Sequence, residues 1–574
     1  MRPLQIILVS TIFTGLAFST TRAAIDIPAK VVNGEIGRKL DEYCTRLAGI
    51  GFNGSVLVAQ HGKILYHNAF GIANVPTGTP IYTGTAMSTG SVSKQFTAAG
   101  ILALEADGEL SVTDSLPRFF DNVPEDKRSI TIHELLTHTS GLPGETGPDE
   151  DPIARDDFVR DLLARPLIHE PGSAYEYSNA GYSLAAAIIE KVSGKTYEQY
   201  LRDRLFTPAG MTSTGLYLLR LPDSLIGHSQ NPNLNYVSMA DRPADAWHLT
   251  GSGGLLSTPA DMYRWHLALE NNTVLPKTET DKMFTPYVRE YPDRPTFYGY
   301  GWVVQHSQRR NATVIWHNGG AMPHGWGCAV YYYVEDDAVF IVFSNKPIDG
   351  RNPVDAIAIG MSQVVFGEPY DLPPVWAEAA SELMRKYAGT YIVDDSTSFI
   401  IALTDSALTI SARGQEAFDR LYPSPLPEPL SKYNALTVDL ITEMSRGEFR
   451  KAATRWDEGP TEKMIGMNEQ FWHSFDTLGD FVKAETFGTY FRGDIATACH
   501  LTFTQGGVDL LVFWMRGKCV GITEQSPPAK EIKPLAANRF AGFTLGLGTV
   551  PVVTFTDSTI TIDNGHEIVT ARRM

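Results

Sequence analysis

Two groups of strand-like runs stand far apart in this chain, and a single sheet has to be assembled from both. The first is a hairpin, Gly54-Ser55-Val56-Leu57-Val58-Ala59 followed by Ile64-Leu65-Tyr66. The second holds Trp302-Val303-Val304, Thr313-Val314-Ile315-Trp316, Cys328-Ala329-Val330-Tyr331-Tyr332-Tyr333 and Ala338-Val339-Phe340-Ile341-Val342-Phe343. β-Branched and aromatic residues dominate these runs and polar turns separate them, the pattern of an antiparallel sheet. The stretch between them, from Thr97 to about Leu269, reads as helical. The expected fold class is α+β: a domain over residues 24–367 with an N-terminal helix around Asp41 to Leu47, a sheet flanked by helices, and an inserted helical subdomain covering one face. The seam between sheet and subdomain is where a cleft belongs.

Residues suited to acyl transfer fall along that seam in a fixed order. Ser91 and Lys94 sit one helical turn apart in Gly90-Ser91-Val92-Ser93-Lys94-Gln95-Phe96; Tyr177-Ser178-Asn179 and His317-Asn318-Gly319 follow. A serine hydroxyl is a poor nucleophile at neutral pH and needs a base within hydrogen-bond reach. A serine in the first turn of a helix shares a face with a lysine three residues on. The positive end of the helix and loss of water both disfavour the ammonium form. Lowering a lysine from about 10.4 to near 7 takes about 4 to 5 kcal/mol, which calls for burial and a second basic or cationic neighbour. Tyr177 and His317 are the candidates for that surrounding network.

Each motif alone is weak, since each is expected by chance on the order of once in a chain of this size. Tyr66-His67-Asn68 repeats the Tyr-x-Asn pattern inside the hairpin and reads as strand filling. His133-Glu134-Leu135-Leu136-Thr137-His138 looks like a zinc-protease helix, but its histidines are five apart and leave the common face that ligation requires. The elbow Gly-x-Ser-x-Gly is absent; Gly181-Tyr182-Ser183-Leu184-Ala185 comes nearest and runs into an apolar helix, so Ser183 reads as packing. His324 reads as a solvated loop residue at the cleft mouth. No metal or cofactor is expected.

Context ties the motifs together. Ser91 to Lys94 opens an alanine-rich helix; Ile132-His133-Glu134-Leu135-Leu136-Thr137-His138-Thr139-Ser140-Gly141-Leu142-Pro143 and Pro171-Gly172 precede Tyr177-Ser178-Asn179-Ala180-Gly181-Tyr182. Gly253-Gly254-Leu255-Leu256-Ser257-Thr258-Pro259-Ala260-Asp261-Met262 and Tyr298-Gly299-Tyr300-Gly301-Trp302 follow. As an ordered set, spread between about residues 40 and 365, they closely resemble the class C β-lactamase and penicillin-binding-protein superfamily. The resemblance implies a β-lactamase-like fold with Ser91 as nucleophile, Lys94 and Tyr177 as the proton-transfer pair, and Asn179 holding the lysine and the substrate amide. It implies His317 in the third motif, on an edge strand flanking the cleft, and an oxyanion hole from the backbone N–H groups of Ser91 and Gly320. Such donors typically supply about 2.7 to 4 kcal/mol each.

Asn179, Asn318 and Gly319 are the expected substrate-binding residues. His317 departs from the Lys-Thr-Gly usual in class C β-lactamases and is similar to the D-aminopeptidases, DD-peptidases and related serine peptidases of the fold. Asn318 replaces the usual threonine or serine, which weakens the case for recognition of a substrate carboxylate. The expected function is an exported serine hydrolase that cleaves amide bonds of small peptides, including D-amino-acid or cell-wall-derived ones, through an acyl-enzyme on Ser91. An esterase or β-lactamase would use the same residues. A reading of another class is a binding or sensor protein that keeps the scaffold without turnover.

Composition sets the remaining bounds. With 574 residues and 43% hydrophobic content, the chain has room for two to four domains with ordinary cores. Arg2, an apolar run from Ile6 to Phe18 and Thr21-Arg22-Ala23 form a signal-peptide pattern with cleavage after Ala23, giving a signal segment over 1–23 ahead of the domain over 24–367. Removing it takes away two arginines and no acid, so the formal charge moves from −17 to −19. Nucleic acid and anionic membranes are therefore excluded as expected partners, and the expected location is periplasmic or secreted, without stable membrane insertion after cleavage. Small peptide or ester substrates are the expected ligands. The four cysteines are Cys44, Cys328, Cys499 and Cys519; the last two share a β-rich segment, but spacing does not establish a pair.

Glu368-Pro369-Tyr370-Asp371-Leu372-Pro373-Pro374 reads as a linker. Residues 368–430 then resemble a lipocalin-like β module, beginning with Tyr387-Ala388-Gly389-Thr390-Tyr391 and ending where Pro423, Pro425, Pro427 and Pro429 alternate. Residues 431–574 read as an α+β module resembling a nuclear-transport-factor-like cone, with two terminal strands over Thr549 to Ile562 that belong either to this module or to the earlier barrel. No catalytic constellation follows residue 370, so this portion is expected to limit substrate access or bind partners.

Overall fold

The computed structural model describes residues 26–574 except 150, 217–218, 231–237, 239–245, 293, 322–324, 349–351, 379–380, 405–406, 423, 425, 427, 458, 492–494, 544, 546–550 and 566. The expected signal segment, His324 and three of the four alternating prolines lie outside the described residues. Two compact units are present: one runs to Arg38 and resumes over Asn53–Pro347, the other holds Lys39–Phe52 and Ile348–Met574.

In the first unit the two separated strand groups meet. Its strands are β1 (Val31–Val32), β2 (Gly54–Gln60), β3 (Lys63–Phe70), β4 (Val288–Arg289), β5 (Thr296–Tyr298), β6 (Val303–Ser307), β7 (Ala312–Ala321), β8 (Trp326–Tyr333) and β9 (Ala338–Ser344). Among the described residues they form one sheet in the order β1-β3-β2-β9-β8-β7-β6-β5-β4. The join is β9 against β2, antiparallel from Ala338↔Gln60 to Ser344↔Gly54. Every residue of β9 is buried; with cover on both faces a central strand loses the alternation of a half-exposed one.

The serine and lysine sit where a turn meets a helix. Gly90–Ser93 is a 3₁₀ turn, and α1 (Lys94–Ala106) starts immediately after it, buried from Lys94 to Leu104. Ser91 is therefore not in the first turn of the α-helix. A 3₁₀ turn places i and i+3 almost in register, so the hydroxyl and the amine still share a side. Alanines and Gly100 let α2 (Asn179–Ser193) pack closely on α1: a Cβ on Gly100 would lie 2.9 Å from Ile189 Cδ1.

The expected edge position of the third motif is corrected in detail. β7 is an interior strand, flanked by β6 and β8. Its pairing with β6 ends at Val303↔Trp316, whereas its pairing with β8 continues to Ala321↔Trp326. From His317 onward β7 thus has a neighbour on one side only, and the edge is local, made because β6 is short.

In the second unit the linear division at residues 430 and 431 does not match the strand pairing. The barrel strands β10 (Gly389–Ile392), β11 (Ser398–Leu403) and β12 (Leu408–Arg413) are completed by Ala529–Ala536, Arg539–Ala541, Val552–Phe555, Thr559–Asp563 and Ile568–Arg573. Closure comes from Tyr391↔Arg573 and Ile392↔Arg572. β12 alternates buried and half-buried residues, as barrel strands do. The intervening segment supplies the helix Lys432–Ser445 and a four-stranded antiparallel sheet over Phe481–Phe491, Ile495–Phe503, Gly506–Met515 and Lys518–Glu524. Leu440 and Met444 share a core with Leu501, Leu510 and Val512. Cys499 and Cys519 are both buried and not bonded to each other.

Candidate functional site

Lys94 is the centre of the site. Its Nζ lies 3.1 Å from Ser91 Oγ, 2.5 Å from Asn179 Oδ1 and 2.8 Å from the Ser252 carbonyl oxygen. Burial lowers its pKa to about 7, while the carboxylates of Glu145 and Asp149 pull the other way. The two carbonyl oxygens can only accept. A neutral Lys94 therefore spends its two N–H groups on them and turns its lone pair to the Ser91 hydroxyl. The expected cationic neighbour is not what depresses the amine, because burial is the dominant cause.

Tyr177 completes the other side of Ser91. The Lys94 nitrogen sits 4.8 Å from the centre of its ring, and the phenol hydrogen-bonds with Ser91. Burial drives the phenol upward from its ordinary value, with Glu145 and Glu290 adding to the shift. Tyr177 is thus held as a neutral O–H donor next to a lysine held near its titration point.

The residues that aim Tyr177 and Asn179 come from the segment following the helix Ile132–Leu136. Ser178 caps α2, its hydroxyl accepting from the Gly181 N–H at 3.0 Å and donating to the Pro143 carbonyl at 2.7 Å. Its backbone N–H donates to His138 Nδ1 at 3.0 Å. That bond assigns the other ring proton to Nε2, which is buried without a hydrogen-bond acceptor among the described residues. The His138 ring lies 4.2 Å from that of Tyr177 and 4.5 Å from that of Tyr298. Burial holds it well below the usual histidine range, followed by the influence of Lys94 and His317. His133 turns elsewhere, its Nδ1 2.7 Å from Tyr300 Oη; the two histidines have separate surroundings.

His317 is 4% exposed and fully engaged. Nδ1 lies 2.6 Å from the Asn318 carbonyl, which can only accept, so Nδ1 carries the proton. Nε2 then accepts from the Tyr298 hydroxyl at 2.9 Å. Burial, reinforced by Lys94, lowers its pKa to about 3, so the ring is neutral at physiological pH. It shares a cavity of about 270 Å³ with Ser91, Tyr177, Glu290, Asn318, Gly319 and Gly320.

Close backbone contact fixes the third motif against the Ser91 turn. A Cβ on Gly319 would lie 2.3 Å from the Thr89 carbonyl oxygen and 2.4 Å from the Ser91 nitrogen. From the other side, a Cβ on Gly90 would lie 2.5 Å from the Gly320 nitrogen. Only glycine permits this approach, and it brings the Ser91 and Gly320 amides onto abutting backbone. All of Ser91, Lys94, Tyr177, Asn179, His317, Asn318, Gly319 and Gly320 therefore gather in one place.

Sequence reasoning missed four contributors. Glu145 accepts from Asn179 Nδ2; Glu290 lines the cavity and accepts from the Tyr175 hydroxyl at 3.1 Å; His138 and Tyr298 pack around Tyr177. The His138 motif was visible, but its spacing only argued against zinc. The two glutamates carry no local signal, because a loop carboxylate reaches this cleft only through tertiary structure.

Residues 49–360 match the model of the family described as Beta-lactamase, more than half of the 574 residues. The chain belongs to the beta-lactamase family. This beta-lactamase-family chain is 31% identical over 445 residues to penicillin-binding protein 4* of Bacillus subtilis (strain 168), covering 72% of this chain and 95% of that protein. It is 26% identical over 281 residues to protein flp of Staphylococcus aureus (strain COL), covering 47% of this chain and 51% of that protein. In fold it is similar to the octameric penicillin-binding protein homologue from Pyrococcus abyssi, with a TM-score of 0.54, 18% identity and coverage of 94% of this chain and 100% of that one. It is a serine hydrolase of the β-lactamase fold. No helix among the described residues is long and apolar enough to cross a membrane.

Proposed function

We propose that the chain is an exported amide hydrolase that cleaves small peptides through an acyl-enzyme on Ser91. The observation that carries this reading is the Lys94 amine, lowered to about 7 with its free lone pair facing Ser91 Oγ. As Oγ bonds to the substrate carbonyl carbon, Lys94 takes the hydroxyl proton. The Ser91 and Gly320 amides hold the oxygen that becomes negative. The Tyr177 phenol gives its proton to the leaving amine as the C–N bond breaks, and the Lys94 ammonium resupplies the phenol. Water then attacks the ester carbonyl carbon as Lys94 takes its proton, and the Lys94 ammonium returns that proton to Ser91 Oγ as the Oγ–C bond breaks, releasing the acid and restoring the enzyme. Asn179 keeps Lys94 in place throughout. The residues that support export, Arg2 and the run from Ile6 to Ala23, belong to the sequence alone.

The cavity also carries a charge preference. Among the described residues Glu290 is its one acidic lining residue and no lysine or arginine lines it, and His317 is neutral. This favours neutral or cationic substrates over those with a carboxylate beside the scissile bond. It supports peptides without a carboxylate beside the scissile bond over β-lactams, while leaving esters as chemically easier substrates of the same machinery.

The test is covalent labelling of the mature protein by a fluorophosphonate and by a fluorescent penicillin, with the adduct located by peptide mapping. Fluorophosphonate on Ser91 with weak penicillin labelling is expected, and Ser91→Ala abolishes both. Absence of any Ser91 adduct would overturn the proposal in favour of a non-catalytic binding protein. Secretion with an N-terminus other than residue 24 would overturn the expected processing.

A further inference from the structure

A second cluster lies outside the serine site. His266, Glu270 and Asp337 each direct one possible ligand atom to a common point, all three within 4.8 Å of one another. His266 and Glu270 occupy positions i and i+4 of the helix Pro259–Glu270, so they share a face, with Nε2 3.5 Å from Oε2. Asp337 comes from the turn joining β8 to β9. Its carbonyl oxygen accepts the His61 backbone N–H at 2.8 Å, and its Oδ2 lies 3.6 Å from His61 Nδ1. A second imidazole therefore borders the cluster from the turn between β2 and β3.

The chemistry of the group is that of a cation site. The His266 side chain is 13% exposed, so its ring is held by packing while its edge stays within reach of an ion. The Tyr332 hydroxyl donates to Glu270 Oε1 at 3.0 Å, which orients the carboxylate and leaves Oε2 toward His266. The Tyr332 ring packs edge-on against His266 at 4.6 Å. An outer partner of this kind fixes a metal-binding carboxylate in place. Among the described residues, the ion pairs of these two carboxylates run to histidines and not to lysine or arginine. Two carboxylate oxygens and one imidazole nitrogen, all within 4.8 Å of one another, offer a dication three ligand atoms.

We propose that His266, Glu270 and Asp337, with His61 alongside, bind a divalent transition-metal cation of the zinc class. Mixed imidazole and carboxylate donors suit such an ion, and partial exposure leaves room for water to complete its shell. The bound ion would tie the C-terminal end of the helix to the two adjoining β turns.

The test uses the full mature protein, stripped with EDTA and titrated with zinc chloride by calorimetry. One equivalent is expected to bind with micromolar or tighter affinity and to raise the melting temperature, as any ligand of the native state does. His266→Ala and Asp337→Asn should each weaken that binding at least ~10-fold, while Ser91→Ala binds zinc normally. Asp337→Asn alters an accessible turn, so it reports on the site even where His266→Ala fails to fold. Absence of saturable binding, or equal binding by wild type and Asp337→Asn, would overturn the assignment, since zinc would then sit on other histidines.

Discussion

The His138 ring accepts the backbone N–H of Ser178 and lies 4.2 Å from the ring of Tyr177, so one buried imidazole sets both the chain path and the ring face on either side of that peptide bond. It touches neither Ser91 Oγ nor the Lys94 amine in a hydrogen bond, and its effect passes through Tyr177. His138→Phe removes the acceptor and is expected to lower kcat/KM about 10-fold or more, with the loss in kcat. His138→Asn should recover much of this. Asparagine offers an acceptor oxygen and tolerates the positive φ of 59° at this position. Equal losses in the two variants would show that bulk packing, not the Ser178 bond, is what matters.

A pH profile reads the state of Lys94. In the proposed mechanism acylation needs the neutral amine, so kcat/KM should fall as pH drops through about 7, the value to which burial brings it. Glu145 raises the lysine's pKa; Glu145→Gln should therefore move the acid limb to lower pH. The measurement is kcat/KM against pH for both proteins, and a limb that moves upward contradicts the assigned electrostatics. Lys94→Ala should slow acylation by at least ~100-fold, the scale of a lost general base.

Substrate charge offers a separate readout. Glu290→Gln removes the carboxylate from the cavity beside His317 and Ser91. The rate of penicillin acylation is expected to rise several-fold, whereas an amidated neutral peptide should change little. If both substrates respond alike, Glu290 acts through its hydrogen bond with Tyr175 and not through charge.

The parts of this molecule legible in the sequence are those with local signatures. β9 announces itself because every residue from Ala338 to Ser344 is buried, giving an uninterrupted apolar run. Ser91, Lys94, Tyr177 and Asn179 are legible because their motifs occur in order, and the structure gathers them with His317. The strands Val552–Phe555 and Thr559–Asp563 do return to the earlier barrel, a reading their sequence left open; the closing partners Tyr391 and Arg573 were not legible, since antiparallel pairing across such a separation leaves no mark in either strand. Nor was the one-sided pairing of β7 beyond Trp316, which depends on where its neighbour β6 happens to begin.

The thiols supply a prediction for the second unit. Cys499 and Cys519 are buried in the core beneath the four-stranded sheet and are not joined; burial pushes both thiols up to about 12. Neither forms thiolate at neutral pH, and neither meets solvent. A thiol reagent should therefore leave the folded protein unlabelled and modify all four cysteines once it is unfolded without reductant. The melting temperature should be the same with and without dithiothreitol. Recovery of only two reactive thiols in denaturant would instead establish a disulfide, and the Cys499 and Cys519 strands would have to draw together to make it.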